Sequence, residues 1–239
     1  MKSPALQYQE NLRKRPEMKK EAYPYFFDKY FKNPLADTGF LDTTERISGA
    51  SLMQFIPGKI YTFQYEPLYK DVLDYYDKRP IILACGQWSA KTGNNILTGI
   101  NLNFLPEKAK VNTLEYYFRA MGNDLIQAYE ETEKTNKISI IKKAYQVLQN
   151  KEALNNIFNA SGQIGYQFAM RNYIISGTHM RQNVIVEYDD WELIPFLQTK
   201  DIVGKSIGEI YKEYIQTKTL LSKAKASQKP GSKRKYTNR

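Results

Sequence analysis

The feature that most limits how this chain can fold is a change of hydrophobic period at Glu107 and its reversal after residue 180. Before the change, Lys59-Ile60-Tyr61-Thr62-Phe63-Gln64-Tyr65 alternates in period two, which puts Tyr61, Phe63 and Tyr65 on one face of a strand. Ile81 to Cys85 is a short apolar run that reads as a buried strand. Ile96 to Leu105 reads as a third, with Ile100, Leu102 and Phe104 on one face and Pro106 as its stop. From Glu107, residues Val111, Leu114, Phe118, Met121, Leu125 and Tyr129 follow the three-four spacing of a helix. Ile138, Ile141, Tyr145 and Leu148 mark a second helix, and Glu152 to Tyr173 a third, broken at Ser161-Gly162. Strand character returns at Asn183 to Tyr188 and at Trp191 to Ile194, on either side of an Asp189-Asp190 turn.

Short strands around a helical insert predict an α+β chain, a small SH3-like β-barrel with a helical insertion, a C-terminal helix and extended basic arms. The expected divisions are an aromatic and basic arm over 1–50, the first barrel strands over 51–106 and the insertion over 107–180. The remaining strands follow over 181–200, a helix over 201–222 and a basic flexible tail over 223–239. Ser206 with Glu209 three residues on is a capping box for that helix, whose apolar stripe is Ile207, Ile210, Tyr214 and Leu221.

The formal charge of +10 is unevenly placed. Lys223, Lys225, Lys229, Lys233, Arg234, Lys235 and Arg239 stand in the last segment with no acid, for +7, and residues 1–20 carry +4. The intervening body is left at −1. Such arms release counterions when they meet phosphates, so the seven C-terminal cations are the candidate contacts to nucleic acid or to acidic partner surfaces. Tyr23, Tyr25, Phe26, Phe27, Tyr30 and Phe31 cluster in the first arm. An arm this aromatic packs either on its own core or, as candidate partner-packing residues, on a neighbouring subunit. Tyr61, Phe63, Tyr65, Phe104 and Trp191 are the expected barrel core.

Several chemistries find little support. One cysteine, Cys85, and one histidine, His179, exclude an intramolecular disulfide and argue against a structural zinc site. Cys85 lies in an apolar run and reads as a buried structural residue. Gly86 to Thr92 lacks the second glycine of a phosphate loop. The acidic groups Asp71, Asp74, Asp77 and Glu187, Asp189, Asp190, Glu192 are what a two-metal nuclease would need, yet ion pairing of the first three with the neighbouring Lys70, Lys78 and Arg79, and turn formation, explain them more simply. No apolar run reaches membrane-spanning length, and the polar residues after Met1-Lys2-Ser3-Pro4 are unlike a signal peptide, so synthesis in the host cytoplasm is expected. No catalytic residue, cofactor, metal, small-molecule substrate or membrane partner is expected.

The segment Pro57 to Pro67, followed by Lys70-Asp71, Leu73, Tyr75-Tyr76-Asp77 and Pro80, resembles a pattern in small virion proteins of T4-like tailed phages. Gly99-Ile100-Asn101-Leu102-Asn103-Phe104-Leu105-Pro106 and Trp191 with Ile194-Pro195-Phe196-Leu197 complete the resemblance, which spans about half the chain. The family includes DNA end protectors and minor structural proteins. The resemblance implies a non-enzymatic virion subunit at the neck, portal or tail-baseplate region, with other virion proteins as partners in a symmetric assembly and packaged DNA as a further contact. A free single-stranded or duplex nucleic-acid-binding protein with Trp88 and Tyr residues stacking on bases is the alternative, and a phage nuclease the second alternative.

Overall fold

The computed structural model describes residues 3–32, 55–73, 76–122, 124, 134–150, 152, 169–197 and 204–227. Five strands form one antiparallel sheet: β1 (Ile60–Tyr65), β2 (Ile81–Ser89), β3 (Asn95–Asn101), β4 (Met170–Ile175) and β5 (Met180–Ile185). Their spatial order is β4-β3-β2-β1-β5. Ile82 of β2 sits opposite Asn101 and Ser89 opposite Asn95, with a bulge between Ala84 and Gly86.

β4 and β5 are consecutive in the chain yet lie at opposite edges of the sheet. A flat sheet would hold them about 19 Å apart, four strand spacings, while only residues 176–179 connect them. The sheet therefore coils until its edges approach, and the Tyr65 hydroxyl accepts a hydrogen bond from the Ile174 amide at 3.3 Å across the inside. No ladder joins β4 to β5 among the described residues, so the sheet stays open.

Coiling divides the core in two. Inside lie Phe55, Tyr61, Phe63, Ile82, Ala84, Leu97, Tyr173 and Met180, with Tyr65 half-buried beside them. Outside, Ile60, Ile81, Leu83, Cys85, Ile100 and Val184 meet the helices. β2 is buried on both faces, which is why it reads as an unbroken apolar run. Gly99 is required by close approach, since a Cβ there would come 2.3 Å from Ile82 Cγ2 and 2.7 Å from the Leu83 carbonyl oxygen. Gly58, at φ +87°, leaves room for the Tyr117 hydroxyl, which a Cβ would meet at 1.9 Å.

Helices α1 (Pro4–Lys14), α2 (Met18–Phe27), α3 (Glu107–Met121) and α4 (Lys134–Gln149) cover the outer side, and α5 (Ile207–Ser227) closes the chain's described part. The first two correct the expected extended arm. Ser3 caps α1, with Pro4 at the first helical position. Met18, Ala22 and Phe26 recur every fourth residue on α2 and are buried, and Tyr30 follows in a π-helical turn over Asp28–Lys32. Phe26 at 2% exposure and Tyr30 at 0% pack on the chain's own core, the first of the two readings of this aromatic run, and not against a partner.

Other differences have local causes. β4 was expected inside the helical insertion, but Tyr173, Ile174 and Ile175 favour a strand and β3 supplies the backbone partners. The third strand stops at Asn101 because its Oδ1 accepts the Asn103 amide at 2.9 Å, turning the chain into a 3₁₀ turn over Leu102–Phe104. Phe104 is therefore half-buried at the sheet's edge and outside the interior core. Tyr188–Phe196 is a 3₁₀ helix where a strand was expected. Trp191, Leu193, Ile194 and Phe196 are buried in the helix-side core, so Trp191 fills that layer and not the coiled sheet. The capping box holds: Ser206 Oγ accepts the Glu209 amide at 3.3 Å, and Glu209 Oε2 accepts the Ser206 amide at 2.7 Å. α5 runs on through Lys223 and Lys225, which were expected in the flexible tail. Among the described residues no helix is long and apolar enough to cross a membrane.

Candidate nucleic-acid interface

Beyond β1 the chain makes a 3₁₀ turn at Lys70–Val72 and returns through residues 76–80 to β2. This return is anchored at Asp77. Its carboxylate accepts from Asn101 Nδ2 at 2.9 Å, Asn103 Nδ2 at 3.0 Å and the Arg79 amide at 3.1 Å. Burial pushes the Asp77 carboxyl above the usual carboxylate range, while the two asparagines and the Arg79 amide oppose that shift. Tyr173 accepts a second bond from Asn101 at 2.9 Å. Lys110, also buried, donates to the Leu197 carbonyl, and burial lowers its pKa to about 7 against the pull of Asp77 and Glu107.

The anchored segment presents Lys78 and Arg79. Tyr65 donates its amide to the Lys78 carbonyl at 2.9 Å, which fixes the segment against β1. The Arg79 guanidinium lies 4.4 Å from the Phe27 ring and 4.6 Å from the Phe31 ring. Lys78 Nζ sits 5.9 Å from the Tyr76 ring. The β4–β5 turn closes the opposite wall: the Glu66 amide donates to the His179 carbonyl at 2.8 Å, and His179 Nδ1 lies 2.8 Å from the Glu66 carbonyl. Arg181 on β5 completes a groove of about 310 Å³. The one carboxylate in its wall, Glu66, is bound by Lys70, and this pairing holds its pKa below the usual range. Lys78, Arg79 and Arg181 have no carboxylate within ion-pairing distance among the described residues.

The expected site residues fare unevenly. Lys223 stands exposed on α5, the Lys225 side chain is outside the described set, and Lys229, Lys233, Arg234, Lys235 and Arg239 lie outside the described residues. Tyr23 and Tyr25 are exposed, at 54% and 51%, and Phe27 and Phe31 are half-buried against Arg79. Asp74 lies outside the described residues. Asp190 and Glu187 bind Lys29 at 2.8 and 2.7 Å, and Asp190 also accepts from Tyr30. Among the described residues no group of acids, His and Cys could hold a metal ion. Gly86 to Ser89 pair in register with Thr98 to Asn95 and form no phosphate loop. Cys85 is buried with its thiol pushed up to about 12 by burial, and it lies in the helix-side core, away from the β4–β5 turn that carries His179. Sequence reading treated Lys78 and Arg79 as ion-pair partners of the neighbouring aspartates. The signal that marks them is the run Tyr76-Asp77-Lys78-Arg79-Pro80, in which the acid is drawn inward and the bases remain outside.

The model of one protein family, Phage T4 terminal DNA protecting protein, matches residues 14–160. The chain belongs to this family. No curated protein and no solved structure matches it. The span shared with the terminal DNA protecting family holds α2, β1 to β3, α3 and the Tyr76, Lys78 and Arg79 wall of the groove. Arg181, His179, β4 and α5 lie outside it, so the second wall comes from the part of the chain beyond the family match.

Proposed function

We propose that this chain binds the end of phage duplex DNA without chemical turnover, as a subunit of the virion. The observation that carries the reading is the groove. In a body whose formal charge is −1, three cations with no carboxylate in ion-pairing distance among the described residues converge on one concavity. Phosphates are the ligand such a site takes, and a membership in a family named for terminal DNA protection supplies the duplex end. The cations Lys223, Lys225, Lys229, Lys233, Arg234, Lys235 and Arg239 extend the same contact along the strand. Tyr23 and Tyr25 face a neighbouring virion protein in a symmetric assembly at the neck or tail, and the coiled sheet works as an SH3-like barrel scaffold.

Fluorescence anisotropy of labelled linear duplex over a series of salt concentrations tests the binding. The expected result is a steep salt dependence that becomes shallower by about 2 in log K against log salt when Lys78 and Arg181 are both changed to Ala. A slope unmoved by that double variant would remove the groove from the function. Mass spectrometry of purified particles tests the location: a fixed copy number places the chain in the virion, and absence from particles overturns that part.

A further inference from the structure

The groove is one end of a longer cleft. A second cavity, of about 530 Å³, lies between α5 and the β4 edge of the sheet. Tyr65 and Tyr76 stand in the walls of both cavities, so the two are neighbours across these rings. The character of the wall changes along the cleft. Lys78, Arg79 and Arg181 line the first part, whereas Leu73, Phe104, Tyr214 and Leu220 line the second.

This order of charge followed by aromatic and apolar surface is the order of a nucleotide, whose phosphate is anionic and whose base offers a π-face. The second cavity lies within the size range of small-molecule sites and is far too narrow for a duplex. Its wall is also firmly built. The Arg171 guanidinium sits 4.4 Å from the Phe104 ring and 4.8 Å from the Tyr214 ring, which joins β4 to α5. Glu213, the acid contributed by α5, is bound by Lys205 at 2.7 Å, and Asp77 is held by its asparagines. Neither carboxylate is left facing a phosphate without a partner.

We infer that the cleft houses an unpaired nucleotide at the DNA end, with its base beside Tyr76 in the larger cavity and its phosphates on Lys78, Arg79 and Arg181. The inference rests on the DNA-end reading and adds to it how an end is told from the interior of a duplex. Interior base pairs cannot reach the cavity, whereas a single-stranded extension or a frayed terminal base can.

The full chain is titrated onto a blunt duplex and onto the same duplex with a short single-stranded extension. 2-Aminopurine is placed either at the last unpaired position or at the centre of the duplex. The expected results are about tenfold tighter binding of the extended duplex and a fluorescence change at the terminal probe alone. Tyr76→Ala abolishes the tenfold advantage and Tyr76→Phe keeps it, because the ring and not the hydroxyl meets the base. Leu220→Trp, which fills the cavity from exposed positions of α5, abolishes it without touching the sheet. Equal affinity for the two duplexes with a silent terminal probe overturns this inference and leaves phosphate binding by the groove standing. Binding of neither duplex overturns both readings.

Discussion

Two regions of this molecule are rich in cations, and they use them in opposite ways. In the N-terminal helices most of the charges are paired within the fold, with Arg13 and Lys20 exposed and without a carboxylate partner among the described residues. Lys14 pairs with Glu10 at 4.0 Å, Arg15 with Glu192 at 3.8 Å, Lys19 with Glu107 at 3.4 Å, and Lys29 with Asp190 and Glu187. Burial works against the Lys29 charge, yet hydrogen bonds to Asp190 and Glu187 outweigh it and hold its pKa above the usual lysine value. Around the groove, Lys78, Arg79 and Arg181 are held by aromatic rings and by backbone instead. Both regions count as basic in a charge tally, but the second gathers its cations around one concavity, where they can meet a single ligand. A tally therefore locates cations, while the identity of each partner decides what they do.

The largest effect that would sharpen this contrast falls on the first region. Asp190→Ala leaves the buried Tyr30 hydroxyl without its carboxylate acceptor and Lys29 with Glu187 alone. It is expected to cost about 3 kcal/mol of stability, read by urea unfolding, because one side of a buried charged network is removed. Affinity for linear duplex is expected to stay within about twofold. The second effect falls on the groove. Changing Lys78 and Arg181 to Ala is expected to weaken duplex binding by about ten- to thirtyfold at moderate salt, while urea midpoints barely move. If Asp190→Ala weakened DNA binding as much as the groove variant, the two regions would not be separate in function.

How much of this could be read from sequence follows the range over which each signal acts. β1 and the first half of β2, the α3 and α4 helices and the Ser206 capping box were legible, because alternation, three-four spacing and caps are local patterns. The 3₁₀ helix around Trp191 was not. It is buried among α1, α2 and α3, so it shows no polar face from which to read a period. The N-terminal helices were misread as an arm because their acceptors, Glu107, Glu115 and Glu192, lie about a hundred residues or more away in sequence. The groove was missed for the same reason: Arg181 reaches Lys78 because β5, more than a hundred residues on, pairs with β1 and sets Arg181 opposite Gln64, while Lys78 is bonded to Tyr65 on the other side of that strand. Asp77 gave no sign that it turns inward to Asn101 and Asn103 and leaves Lys78 and Arg79 outside.

Lys110 offers a third test, on a cation that belongs to neither region. It is fully buried and its pKa is lowered to about 7, below the ordinary lysine value. Between the folded and unfolded values the unfolded chain binds more protons, so stability rises with pH through this window. Lys110 alone contributes up to ~1.4 kcal/mol per pH unit there. Urea unfolding from pH 7 to 9 is expected to show this slope in the native chain and a shallower one in Lys110→Met. Equal slopes would mean that the lysine keeps its charge in the folded state by pairing with Asp77.

The smallest expected effect bears most directly on whether the N-terminal charges are silent. Arg15 is half exposed, and its contact with Glu192 is long at 3.8 Å. A surface pair of this kind contributes about 0.5 kcal/mol or less, and salt screens it further. Arg15→Ala is therefore expected to leave both the urea midpoint and the salt slope of DNA binding unchanged. Lys78→Ala, also the loss of a single surface charge, should lower that slope by about 0.9. The comparison holds the charge change constant and varies only the partner. If Arg15→Ala lowered the slope equally, Glu192 would not be holding the guanidinium away from phosphate, and the N-terminal helices would belong to the interface.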